Sequence, residues 1–290
     1  METLESLRRR IQSAQDLYGI IRTMKALAAA SIRQFEQAVE AVDVYTSTVD
    51  TGLRIVLQDQ SPQMENMLKR QNGGTLAVIF GTDQGMCGQF NENIVSFALR
   101  DVTNVSTRKM IIGQRAGSRV VEAGSSFEKL FPVPSSVDGI NPAVQSLLLG
   151  INRQRERDSV DRVILYYNRP VSGSSYKPVR VQLTPVDMSL FRAPVRELCP
   201  SRSLPMYTME QERLLSRLVS QYLFAQLYRA YAESLASENA SRLMTMQAAE
   251  KNIEERLDEL NVGYNGKRQG AITSELLDIV SGVEAIERSA

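Results

Sequence analysis

The sequence predicts an α/β plus long-helix protein, in which N- and C-terminal helices form an antiparallel coiled coil around a central Rossmann-like α/β domain. Three observations predict this. All ten prolines fall between Pro62 and Pro205, so residues 1–61 and 206–290 contain none. Proline removes a helix hydrogen bond and clashes with the preceding turn, so two long proline-free stretches read as long helices. The first stretch carries a sustained heptad, and the stretch between them alternates strand and helix patterns. The expected organisation is a coiled-coil helix over 1–61, the α/β domain over 62–205 and a second coiled-coil helix over 206–290.

The heptad is counted from Leu4. Its a positions are Leu4, Ile11, Tyr18, Lys25, Ile32, Val39, Thr46 and Leu53, and its d positions are Leu7, Ala14, Ile21, Ala28, Phe35, Val42, Val49 and Val56. Fourteen of these sixteen are apolar, which predicts one continuous seam. At ~1.5 Å per residue, eight heptads make a rod on the order of 80 Å long, and its seam must be buried on a partner helix. Lys25 and Thr46 are the polar exceptions. A polar a position fixes register at some cost in stability, and Lys25 is also a candidate for the point where the seam leaves its partner.

The C-terminal stretch supplies the partner. Leu215, Leu218, Tyr222, Ala225, Tyr228, Ala232 and Leu235 step by three or four, as do Leu243, Met246, Ala249, Ile253, Leu257, Leu260 and Tyr264. The charges are complementary: residues 1–36 carry six Lys/Arg and four Asp/Glu, and residues 206–262 carry six and nine. Small seam residues such as Ala14 and Ala28 allow close helix approach. The second helix outruns the first, so part of it is expected to extend past the two-helix region and to need other walls.

In the middle, TLAVIFG (75–81) and RKMIIG (108–113) read as buried strands, and GQFNENIVSFALRD (88–101) and QRAGSRVVEAG (114–124) as helices. A short strand is expected within Phe127–Phe131. PAVQSLLLGINRQRER (142–157) reads as a helix with Asn141 as cap and Pro142 at its first position. DRVILYYN (161–168) and PVRVQLTPV (178–186) alternate as strands joined by a polar loop. This order predicts a mostly parallel sheet covered on both faces, with an antiparallel final pair.

Composition narrows the function. The chain has 290 residues, a net charge of +1 and no histidine. There is no global electrostatic pull toward nucleic acid or anionic membrane, and the commonest general base and metal ligand is missing. The two cysteines, Cys87 and Cys199, form no CxxC pattern and read as reduced thiols. The opening METLESLRRRIQ has no apolar core of a signal peptide, and no run approaches the ~20 apolar residues of a membrane helix. GTDQGMCGQFN (81–91) lies between a strand and a helix, where phosphate-binding loops occur. Its glycines at 81, 85 and 88 match neither GxGxxG nor a P-loop, so a tight structural turn is the stronger reading. Cys87, at the edge of that helix, reads as a packed small side chain. Arg8, Arg9 and Arg10 are interrupted by acidic neighbours and read as a solvated coiled-coil face.

The stretch YNGKRQGAITSELLDIV (264–280) crowds Lys267, Arg268, Gln269, Thr273, Glu275 and Asp278 into twelve positions in a chain without histidine, with Thr273 and Ser274 its only nucleophiles. Taken with LRRRIQSAQDLYGIIRTMKALAAASIR (7–33), TDQGMCGQFN and SENASRLMTMQAAEKN (237–252), it resembles the gamma subunit of F-type ATP synthase, the central rotor stalk, over essentially the whole length. The resemblance implies a non-catalytic shaft turning inside a ring of alpha and beta subunits, with ATP chemistry on those partners. Further implied partners are an epsilon-type small stalk subunit and the membrane c-ring, with no nucleic acid, cofactor or small-molecule substrate. It implies a peripheral position on the cytoplasmic face of a prokaryotic inner membrane, and ring contacts at Met24, Lys25, Arg268, Gln269, Thr273 and Glu275. Gln84 departs from the family's usual basic residue, and Gly263, Gly266 and Gly270 replace stronger helix formers. The tip VEAIERSA is more charged than usual, and the regulatory cysteine insertion of chloroplast relatives is absent. Two other readings stay open on the residues alone: a dinucleotide-binding enzyme built on the α/β middle, and a free-standing coiled-coil adaptor.

Overall fold

A computed structural model of the chain describes residues 3–58, 73–102, 107–171, 175–191 and 206–287. The expected junction at 61–62 and the second cysteine, Cys199, lie outside these residues, and the junction at 205–206 falls at their edge. The chain divides into two compact units: Met1–Leu27 with Leu243–Ala290, and Ala28–Arg242.

Two long helices, α1 (Leu4–Gln58) and α5 (Gln211–Glu287), enclose the α/β elements in sequence. The heptad of α1 is realised at every position: all sixteen a and d residues are buried or half-buried. Pairing with α5 is antiparallel in each unit. In the first, the Tyr18 hydroxyl donates to Glu254 Oε1 at 2.8 Å, and Lys25 forms an ion pair with Glu250. In the second, Asp43 pairs with Arg229, Tyr45 donates to Gln221 at 2.7 Å, and Gln211 Nε2 donates to the Val56 carbonyl at 3.0 Å. Lys25 therefore does not mark the end of the seam but bridges it. Thr46 is buried, its hydroxyl donating to the Val42 carbonyl at 2.7 Å, so the polar group is satisfied within its own helix. At Gly52 an added Cβ would lie 3.2 Å from Leu218 Cδ2, so the missing side chain brings α1 close to α5 there.

The middle forms a five-stranded sheet in the order β3-β2-β1-β4-β5. Its strands are β1 (Gly74–Phe80), β2 (Arg108–Ile112), β3 (Lys129–Phe131), β4 (Val160–Pro170) and β5 (Tyr176–Thr184). The first four pair in parallel, and β5 runs antiparallel to β4, as the alternation predicts. Side chains alternate between two cores along each strand. Ala77, Ile79, Ile111, Ile164 and Tyr166 pack on α2 (Phe90–Asp101) and α3 (Gln114–Glu122). Leu76, Val78, Phe80, Met110, Ile112 and Leu165 face α4 (Val137–Asp158) together with Phe35 and Ala38 of α1 and Leu227, Ala230 and Tyr231 of α5. The long helices are thus part of the sheet's covering layer.

One expectation is corrected. α4 does not open at Asn141 and Pro142; it begins at Val137 after Ser136, whose backbone is extended, and Pro142 lies inside the helix. Burial of Ile140 with Val144, Leu147 and Ile151 extends the apolar face one turn earlier. Pro142 is six positions into the helix, so the hydrogen bond it cannot donate is one to the first exposed turn.

Candidate functional site

The chain has no histidine, and among the described residues no cluster of Cys, Asp or Glu could hold a metal ion, so polar groups left facing solvent are the candidates for a functional surface. The polar stretch of α5 at 264–280 is such a surface. Between Asn265 and Ser281 only Ala271 is half-buried, and every other position is exposed. Arg268, Ile272, Glu275 and Ile279 step at helical spacing and share a face, while Gln269, Thr273, Leu276 and Val280 form the adjoining one. Ile272, Leu276, Leu277, Ile279 and Val280 are large exposed apolar residues. A strip this apolar, interleaved with charges, has the character of a contact surface rather than a solvated face. The Thr273 hydroxyl donates to the Gln269 carbonyl at 2.9 Å, so its hydrogen is engaged within the helix and an oxygen lone pair faces outward.

The α1 candidates sit apart from this strip. Met24 and Lys25 are half-buried, and Lys25 is held by Glu250. Glu250 precedes Arg268 by eighteen residues, or about 27 Å of helix. The six candidate residues therefore form two patches on the shaft. The α1 patch is larger than the sequence reading held. Leu17, Ile20 and Leu27 are exposed and fall on the same outer stripe as Met24, away from the seam. Their spacing was legible, but the heptad, which accounts for most apolar residues of α1, masks it.

The carboxyl ends of the parallel strands, where α/β folds place nucleotides, are occupied by this chain's own groups. Gly81 follows β1; an added Cβ would lie 2.2 Å from Ala116 Cβ and 2.7 Å from Asn91 Oδ1, so the glycine permits close packing against α2 and α3. Gly113 has φ 96° and would place a Cβ 2.6 Å from the Thr82 nitrogen. Asp83 accepts backbone N–H bonds from Gln114 and Val133, each at 2.8 Å, using the first N–H of α3 that a phosphate would otherwise receive. The Ser241 hydroxyl of α5 donates to the Cys87 carbonyl at 2.6 Å. Cys87 is buried, and burial pushes its thiol above the ordinary range, the state of a packed side chain rather than an activated one. The glycine-rich loop is a structural turn closed by α5.

The part of α5 that closes it is what the sequence reading missed. Residues 231–242, YAESLASENASR, are buried at all twelve positions. Glu238 and Arg242 form an ion pair at 2.6 Å with side chains only 8% and 10% exposed. Ser237 donates to the Asn168 carbonyl at 3.0 Å, and Arg169 pairs with Glu233 at 2.8 Å. A helix segment with eight hydrogen-bonding side chains in twelve positions reads as a surface element. The available signal was its density of Ala and Ser, which lets backbones approach closely.

Comparison with known proteins places this architecture. The family model described as ATP synthase matches residues 3–286. The chain is 31% identical over 296 residues to the ATP synthase gamma chain of Geotalea daltonii, covering 99% of this chain and 100% of the relative. Two solved structures share the fold, both from the Euglena gracilis mitochondrial ATP synthase. The rotor structure aligns with a TM-score of 0.63 at 17% identity, covering 93% of this chain and 98% of that one. The OSCP/F1/c-ring structure aligns with a TM-score of 0.66 at 19% identity, covering 98% and 94%. With a family model spanning nearly its whole length and a gamma chain matched end to end, this chain belongs to the ATP synthase gamma-chain family.

Proposed function

We propose that this chain is the central rotor shaft of an F-type ATP synthase, turning inside the ring of alpha and beta subunits and coupling ion flow to ATP synthesis or hydrolysis. The observation that carries the site-level reading is the exposed strip of α5, where apolar and charged side chains stand together with no covering element among the described residues. ATP chemistry belongs to the partner subunits. An asymmetric shaft presents a different face to each of three otherwise equivalent sites. Rotation changes which site each face stabilises, a coupling by differential contact. The further partners are the epsilon-type small stalk subunit and the membrane c-ring.

The ring-contact residues in this reading are Met24 and Lys25 on one patch, and Arg268, Gln269, Thr273 and Glu275 on the other. The segments 1–61, 62–205 and 206–290 serve as shaft helix, α/β foot and second shaft helix. Among the described residues no helix is long and apolar enough to cross a membrane. The reading places the protein peripherally, at the cytoplasmic face of a prokaryotic inner membrane, attached through its partners.

The test compares Arg268→Ala and Glu275→Ala in the free chain and in the reconstituted ring. Both side chains are exposed, so thermal unfolding of the free chain moves by less than about 0.5 kcal/mol. Hydrogen bonds to charged groups are worth about 1.5–3 kcal/mol, so ring assembly or ring-dependent ATP turnover falls by roughly one to two orders of magnitude. Early unfolding with normal assembled turnover would show the strip to be structural.

A further inference from the structure

A shaft that transmits torque must be held against rolling about its own axis, and apolar packing alone holds a helix poorly in this respect because it is non-directional. Along the described parts of α5, residues 231–242 are buried on every face. Their small side chains, Ala232, Ser234, Ala236, Ser237, Ala240 and Ser241, let the α/β domain close around the helix backbone. Within this seat three polar residues, Glu233, Ser237 and Ser241, recur at intervals of four and so lie in one stripe.

Each member of the stripe grips the α/β domain through a directional contact. Glu233 takes the Arg169 Nε at 2.8 Å. Ser237 donates to the Asn168 carbonyl at 3.0 Å. Ser241 donates to the Cys87 carbonyl at 2.6 Å. The receiving groups belong to the end of β4, which is paired to β5, and to the loop after β1. Ser237 and Asn168 are completely buried, with 0% exposure. A roll of α5 by one residue, about 100°, would remove all three contacts together and leave buried polar groups unpaired.

We infer that the stripe Glu233, Ser237 and Ser241, with its receivers Arg169, Asn168 and Cys87, is a torsional key that fixes α5 in the α/β domain, so that torque passes between foot and shaft there. These are positioning residues and touch neither nucleotide nor ion. The inference rests on the rotor reading above. It predicts a defect confined to transmission under load: a ring driven without load needs no grip in the foot, whereas pumping against a gradient does.

The experiment uses the complete complex in sealed vesicles, carrying Ser237→Ala, Ser241→Ala, the double variant, Arg169→Ala or Arg169→Lys. Two quantities are read for each: ATPase activity of the detached ring with this chain, and ions pumped per ATP against an opposing gradient. The expected result is ring ATPase within about twofold of the parent and a pumping ratio under load lowered at least about threefold in the double variant and in Arg169→Ala. Arg169→Lys, which keeps a cation beside Glu233, recovers part of the ratio. Folded, assembled variants with an unchanged ratio under load overturn the key. Failure of the serine and Arg169→Ala variants to fold, with normal coupling in Arg169→Lys, also counts against it, because the contacts would then be ordinary core. If the parent chain itself supports no coupled pumping with its ring, the rotor reading fails rather than the key.

Discussion

Arg242 and Glu238 offer a severe test of the buried seat of α5. Their ion pair is 2.6 Å long with both side chains at or below 10% exposure, and Arg242 Nη1 also donates to Asn239 Oδ1 at 3.3 Å. Burial raises the Glu238 carboxyl above its ordinary 4.5; Arg242 opposes the rise, and Asp83 adds to it. Arg242→Met keeps much of the volume and removes the only cation paired with Glu238 among the described residues. Stranding one partner of a buried pair costs about 3–5 kcal/mol, which corresponds to a fall in Tm of roughly 6–20 °C for a chain of this size. The sign of the pH dependence follows from linkage. A carboxyl whose folded pKa is raised binds more protons folded than unfolded, so its stability contribution is fully present below the ordinary value and is lost as pH rises through the raised folded value. The Arg242→Met deficit should therefore be largest at the alkaline end of the pH series and shrink on acidification toward the ordinary carboxylate range. Adding Glu238→Gln should restore most of the loss and flatten the pH dependence. The assay is chemical and thermal unfolding of the full-length chain for the parent, both single variants and the double variant at several pH values. A deficit under about 1 kcal/mol, or one equal at every pH, would refute the reasoning.

Other outcomes follow from the same geometry. At Gly263, Gly266 and Gly270 an added Cβ meets nothing within 4 Å, so alanine at each should stabilise the helix by about 0.4–1 kcal/mol, read as slower amide exchange across 260–275; no change would show that this stretch is not helical in solution. Cross-linking of Ile32→Cys against a cysteine scan of 236–250 should peak within a turn of Ala240, bracketed by the Lys25–Glu250 and Asp43–Arg229 pairs; equal yield at every position would sink the antiparallel register. Calorimetry on the isolated chain should detect no micromolar ATP binding, because the strand ends are closed by Asp83 and Ser241; a micromolar site would reopen the nucleotide-binding alternative.

Periodicity and proline placement made much of the fold legible. Each a and d position of α1 is buried or half-buried because a two-helix seam depends on local spacing alone, and local spacing is written in the chain. The strands and helices of the middle were legible for the same reason, and so was the antiparallel final pair. The start of α4 was not, since Pro142 is equally at home at a first position and one turn later, and only burial of Ile140 decides between them. Gly81 and Gly113 could be counted but not interpreted, because the contacts that exclude a Cβ come from Ala116 and Thr82 across the sheet edge.

The polar strip at 264–280 was visible in sequence as a crowd of hydrogen-bonding groups, and the structure leaves it exposed. Its separation from Met24 and Lys25 was not visible, because distance along a shaft depends on which residues of the two helices face each other. The most consequential difference lies in residues 231–242. With eight hydrogen-bonding side chains they read as a surface helix, and their density of Ala and Ser is the one local feature that sets them apart from the charged run 250–259. Their burial exists because the ends of β1 and β4, far away in sequence, supply carbonyls and an arginine at the right places to satisfy Ser241, Ser237 and Glu233. A polar residue can enter a core only where a partner awaits it, and where partners await is a property of the assembled tertiary structure.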